Sequence, residues 1–159
     1  MSLLPLPDTK TNGHPRTQAA LELTIIHNAL IRALNSIYIQ SPHIPLSEYT
    51  HFSSYALATY LSIVARDSSS LFSEIACQMT DNTPLRAFDT PLTAWGNWLK
   101  SISSQKVNFS AEICREMMDD LMSTLHQYFQ SVVQGIMQVS ERDVDKVMEE
   151  YRNGVFWNE

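Results

Sequence analysis

Cysteine, basic charge and long apolar runs are all scarce in this chain, and each shortage excludes something. Cysteine occurs twice in 159 residues, at Cys77 and Cys114. The two form no CxxC and no zinc-ligand spacing, which argues against a disulfide scaffold and a structural zinc site. They read as buried free thiols in a reducing compartment. Lys and Arg number 11 against 17 Asp and Glu, a formal charge of −6. Without a basic face nothing neutralises phosphates, so neither nucleic acid nor an anionic membrane is expected as a partner. No apolar run approaches the roughly 20 residues that cross a bilayer. The opening MSLLPLPDTK lacks the basic and continuous apolar regions of a secretory leader, and the expected location is the cytoplasm. No phosphate loop and no nucleophile–base motif is present, so kinase, hydrolase and dehydrogenase chemistry have no residues to rest on.

What is present reads as helix. A hydrophobic content of 44% with 18% charged residues is that of one globular domain. Residues 1–16, with Pro5, Pro7, Pro15 and Asn12-Gly13, read as an extended arm, and 17–159 as a single helical domain. Leu23, Ile26, Leu30, Leu34 and Ile37 recur at helical steps from about Thr17 to Ser41, and His27 faces inward with them. Pro42 and Pro45 close that helix. A second helix is expected from Ser47, with Phe52, Tyr55, Ala56 and Ile63 inward, and Leu71 to Met79 adds a helical turn or two. Thr90-Pro91 opens a third, carrying Leu92, Trp95, Trp98 and Leu99. Ser110 caps the longest, with Ile113, Met117, Leu121, Leu125, Tyr128, Val132 and Ile136 on one stripe. Ser140 and Asp143 start a last one, Val144 to Tyr151. No run reads as a strand, so the fold class is all-α.

The stretch from His27 to Ile44, HNALIRALNSIYIQSPHI, closely resembles the first helix of hemerythrin-like (HHE cation-binding) bundles of the fungal type. The resemblance runs from about Leu21 to Ile136, by motif at its start and by helix pattern and spacing beyond. It implies an antiparallel four-helix bundle, here with an extra C-terminal helix, and makes His27 the first ligand of a carboxylate-bridged di-iron centre. The family's other ligands are His-x-x-x-Glu and His-x-x-x-His pairs on the next two helices, then a His and a carboxylate on the last. Leu71-Phe72-Ser73-Glu74-Ile75 matches a Phe-Pro-Glu-Ile-like segment of the family. That match puts Ile63 or Val64 at the second-helix His, and Asp67 or Ser68 at its Glu. The third-helix pair falls on Pro91 and Trp95. Within Leu125-His126-Gln127-Tyr128-Phe129, Tyr128 replaces the ligand His, and Val132 replaces the carboxylate. No histidine lies between His51 and His126, so no shift of register restores two ligand pairs. The resemblance therefore implies a bundle that keeps the fold without the di-iron centre and needs no cofactor. A single ion on His27, Asp67 and Glu74 is the residual metal reading.

The replacements set the functional expectation. His27, Tyr128 and Asp67 bring polar groups toward one interior region, beside Trp95, Trp98, Ile63, Leu30, Val132, Met117 and Leu121. An apolar pocket with a few convergent polar groups is the usual form of a small-molecule site. An imidazole suits proton transfer near neutral pH, and a phenol can donate to a developing oxyanion. The expected function is metal-free binding of an apolar small molecule, as a biosynthetic cyclase, isomerase or dehydratase with His27, Tyr128 and Asp67 catalytic. The alternatives are a non-catalytic carrier, or a scaffold acting through its surface or as a homodimer. In the scaffold, Ile63, Trp95, Tyr128 and Val132 simply fill the core. Arg32 and His126 are expected to point outward.

Overall fold

The structure is a computed structural model that describes residues 1–7, 14–67 and 87–154. Five α-helices account for most of these residues: α1 Pro15–Gln40, α2 Tyr49–Asp67, α3 Asp89–Ser103, α4 Ala111–Ile136 and α5 Glu141–Gly154. There is no strand among the described residues, and no helix there is long and apolar enough to cross a membrane. The expected segment Leu71 to Met79, with Glu74 and Cys77, lies outside the described residues, as does Ser68.

Helix ends follow local chemistry and shift the expected boundaries by a residue or two. Pro15 occupies the first turn of α1, where its fixed φ suits a helix and its missing N–H costs nothing, so α1 starts before Thr17. Short 3₁₀ turns at Ser41–His43 and Leu46–Glu48 bridge to α2, which begins at Tyr49 rather than Ser47. Helix α3 starts at Asp89, ahead of Thr90-Pro91. The Ser110 hydroxyl accepts from the Ile113 N–H at 3.3 Å and caps α4.

Cross-helix contacts fix the directions. Arg115 reaches Tyr38 and Phe129 reaches His27, so α1 and α4 run in opposite directions, and this pair shares more contact than any other. Tyr60 meets Trp95, while Tyr49, Thr50 and Ser53 share a cavity wall with Ile102 and Ser103, so α2 and α3 are also opposed. His14 pairs with Glu141 at 3.0 Å, and Glu22 accepts from Arg152 Nε at 2.8 Å, so α5 runs alongside α1 in the same direction. The Arg152 guanidinium holds the Glu22 carboxyl below its ordinary value.

Two expected core positions face solvent instead: Ile113 and Tyr55. On α4 the buried stripe is Cys114, Met118, Leu121, Leu125, Tyr128 and Val132. Seven residues back from Leu121 rotates the helix to within about 20° of the same face, whereas eight residues back misses it by about 80°. Cys114 therefore replaces Ile113, and Met117 is only half-buried. On α2 the face is completed by Thr59 and Tyr60 in place of Tyr55.

Helices α2 and α3 meet closely at Gly96. A Cβ there would fall 2.2 Å from two ring carbons of Tyr60. The Tyr60 ring is hemmed in by Trp95 at 6.3 Å, edge to face, and lies under Lys100 Nζ at 5.3 Å. Alanine at position 96 gains about 1 kcal/mol in helix propensity. Forcing the ring aside costs about 1–3 kcal/mol. Gly96→Ala is therefore expected to destabilise by up to about 2 kcal/mol net in urea denaturation. In a Tyr60→Ala background the same change becomes neutral or stabilising, because the clash is gone while the propensity gain remains.

Residues 1–7 lie along α1 rather than away from it. Asn28 accepts from the Leu4 N–H at 2.7 Å and donates to the Leu4 carbonyl at 3.1 Å. Asn35 does the same for Met1, at 3.0 and 2.8 Å. Three extended residues and seven helical ones both span about 10 Å, so two asparagines two turns apart match alternate brackets on the strap. The Leu4 side chain is buried.

Candidate functional site

The residues singled out from the sequence do not all gather in one place. His27, on the inner face of α1, is 1% exposed, and Tyr128, on α4, is 2% exposed. Between them stands Phe129. The His27 and Phe129 rings stack at 4.3 Å with their planes 13° apart, and Phe129 lies 5.7 Å from Tyr128. Beyond Tyr128 the Phe88 ring follows at 4.1 Å. An unbroken run of aromatic rings thus crosses the interior from α1 through α4 to the start of α3. Face-to-face stacking fixes the plane of the imidazole while leaving its chemistry at the ring edge, where both nitrogens lie.

Trp95 is fully buried on α3, beside Cys114 of α4. Ile63, Val132 and Leu121 are likewise buried, and Leu30 nearly so. Trp98 belongs to a different cluster: its ring contact is with Phe109, which also meets Tyr49 and Phe52 at the far end of α2. Met117 sits eleven residues before Tyr128, about 16 Å along the helix, so it is no neighbour of that hydroxyl. Asp67 is the last residue of α2, and its side chain lies outside the described residues. The buried Thr24 hydroxyl, one turn before His27, is spent on the Ala20 carbonyl at 2.7 Å.

The donor set does not fit a di-iron centre. The positions that the family resemblance gives to ligands hold Ile63, Trp95 and Val132, all packed in the core. Among the described residues no group of three or more His, Cys, Asp or Glu is placed to hold a metal ion.

Burial pushes the Cys114 thiol up to about 11, against a smaller downward pull from the Trp95 indole. A raised thiol pKa stabilises the fold fully below the unfolded value near 9. That stability drains away as pH climbs toward 11, because the unfolded chain releases its proton first. In a Cys77→Ser background, Cys114 is expected to resist a thiol reagent at pH 8 until denaturant is added. Unfolding free energy should fall between pH 9 and 11, and Cys114→Ala should flatten that fall. Prompt native labelling would place the thiol outside the core.

Phe129 and Phe88 went unread in the sequence because each adjoins a more conspicuous residue. Phe129 sits about 100° around α4 from Tyr128, and that rotation turns it, rather than the phenol, toward His27. Asn28 and Asn35 did carry a signal: asparagine is a poor helix former, and two of them two turns apart need a tertiary reason. His126 is half-buried rather than exposed, and its Nε2 is closed off from water. Arg32 is exposed.

Three cavities lined by described residues lie outside this region. One of about 740 Å³ runs along the outer side of the α1–α4 pair, and another of about 500 Å³ sits where α2 meets the α3–α4 connection. None of the three is lined by His27, Tyr128 or Trp95. Compared with family models, with curated proteins and with solved structures, the chain matches none.

Proposed function

We propose that this chain is a metal-free bundle of the hemerythrin-like type that binds an apolar small molecule beside His27 and Tyr128. Helices α1 to α4 form the antiparallel four-helix unit, and α5 is the addition lying along α1. The observation that carries this reading is the pair of buried polar rings, an imidazole and a phenol, on either side of Phe129. A molecule that displaces Phe88 from Tyr128 meets an aromatic wall with a proton-transferring group at one end and a hydrogen-bond donor at the other. Cyclisation, isomerisation and dehydration need such a site and no cofactor.

A second reading has an observation of its own. The stacked rings of His27, Phe129, Tyr128 and Phe88 fill space as core residues do. On that account the protein is a scaffold acting through its surface or as a homodimer, and His27 serves packing.

Titrating 2-naphthol into protein carrying ¹³C-labelled histidine separates the two. The interior reading expects the His27 resonances to shift in a saturable way, and Tyr128→Leu to weaken the effect. No movement of His27 up to the solubility limit of the probe leaves the filled core. Elemental analysis after expression with added iron is expected to find iron far below stoichiometric. A full di-iron complement would overturn the metal-free reading.

A further inference from the structure

The outer face of α2 is set apart by its lack of charge. From Tyr49 to Ala65 the helix holds no Asp, Glu, Lys or Arg; these come only beyond, with Glu48 before and Arg66 and Asp67 after. A surface helix ordinarily turns charged residues to water. Helix α4 does so with Glu112, Arg115, Glu116, Asp119 and Asp120. On α2 the middle of the exposed face is Ser54, Tyr55, Ala58, Leu61 and Ser62, with His51 in the first turn. Tyr55 and Leu61 are each about half exposed. Ser54 donates to the Thr50 carbonyl at 2.8 Å and Ser62 to the Ala58 carbonyl at 2.9 Å, so covering the face leaves neither donor unpaired.

The spacing of large and small residues makes this face complementary to itself. At about 100° and about 1.5 Å per residue, all five lie within about 60° and about 6 Å of Ala58. Tyr55 and Ser62 fall on one flank of Ala58, and Ser54 and Leu61 on the other. Each flank therefore holds one large and one small side chain at opposite ends. Turning a second copy end for end at Ala58 sets Tyr55 against Ser62 of the partner subunit, and Leu61 against Ser54 of the partner subunit. That antiparallel setting also brings the positive end of each helix beside the negative end of the other.

We propose that the outer face of α2 is a homodimer interface, closed by a two-fold axis at Ala58. A chain of formal charge −6 repels its own kind, and on this face two copies meet without setting like charges against each other. The face is about 25 Å long and about 12 Å across, so a pair buries on the order of 1,000 Å², the low end for specific association. The dimer is therefore weak, with a Kd on the order of 10–100 µM. It is separate from the site proposed around His27 and holds whether that interior takes a molecule or is filled.

Analytical ultracentrifugation of the full chain from about 1 to about 300 µM tests it, with dimer expected to grow in across that range. Raising the salt should tighten the dimer several-fold, because screening removes the repulsion between like-charged copies. Ala58→Arg, an exposed change, should weaken pairing at least about a hundredfold and leave the melt of the dilute monomer unchanged. Ala29→Arg, the same charge added on the exposed side of α1, should leave the dimer intact. In a Cys77→Ser background, Ala58→Cys should cross-link to itself on mild oxidation. Ser62→Cys should not, because its two copies stand about 12 Å apart along the helices, beyond disulfide reach. A monomer at about 300 µM, or a dimer that Ala58→Arg leaves untouched, overturns the proposal. Cross-linking through Ser62→Cys as fast as through Ala58→Cys overturns the antiparallel pairing.

Discussion

Replacing Trp95 with alanine is expected to lower the unfolding free energy by about 3–5 kcal/mol, the range for deleting a buried tryptophan. Trp95 is 0% exposed and touches both halves of the fold, with Tyr60 of α2 on one side and Cys114 of α4 on the other. Its removal leaves a void that neither partner can fill, because each is pinned by its own helix. At about 2–4 °C per kcal/mol for a domain of this size, the midpoint of thermal unfolding should fall by roughly 6–20 °C. Trp95→Phe keeps a ring against Tyr60 and should lose less than half as much. A circular-dichroism melt checks both. A loss within 1 kcal/mol for the alanine variant would mean that the α2–α3–α4 interior is not packed as described. The result also bears on the metal question, since Trp95 stands where the family resemblance asks for a ligand.

The second large effect concerns His27. Under the interior reading, His27→Ala should reduce turnover about a hundredfold or more, the usual scale for a general acid–base group. Tyr128→Phe should cost less, because it removes one hydrogen bond and keeps the ring against Phe88 and Phe129. Stability must be read on the same samples, because His27 also contributes a stacked face. His27→Phe restores that face without the nitrogens. If packing is the whole role of His27, the phenylalanine variant recovers whatever the alanine variant loses. If proton transfer is the role, phenylalanine recovers the melt and leaves turnover down. Full activity in the alanine variant would remove His27 from the chemistry.

The helical architecture was legible in the sequence because most of its signals are local. Leu23, His27, Leu34 and Ile37 keep their face by spacing alone, and Ser110 announces α4 by capping it. The misplacements are of two physical kinds. Four-residue steps turn Ile113 and Tyr55 inward on paper, but each step accumulates rotation, and over eight residues the drift carries both to the solvent side. The site was harder to read because its geometry is made by pairs far apart in sequence. Nothing local says that His27 will meet Phe129 rather than Tyr128, or that Phe88 will cover the phenol. Trp98 shares a stripe with Trp95, yet three residues, an offset of about 60° and about 4.5 Å of rise, carry it to the Phe109 cluster. Asn28 and Asn35 show the reverse case: an oddity visible in the sequence, whose meaning depended on where the first residues lie.

The pairing of α1 with its neighbours has a consequence for how the chain is made. Its contacts span 77 residues to Arg115, 127 to Glu141 and 130 to Arg152. Helix α1 is made before the other helices, but most of the cover for its apolar face comes only with α4, and Glu22 has no arginine partner until α5 emerges. At about 5–20 residues per second, that interval lasts several seconds or more. Helices α2 and α3 can close on one another much sooner, through Tyr60 and Trp95. Folding should therefore proceed from the middle of the chain outward, with the first helix docking last and chaperones meeting it in the meantime.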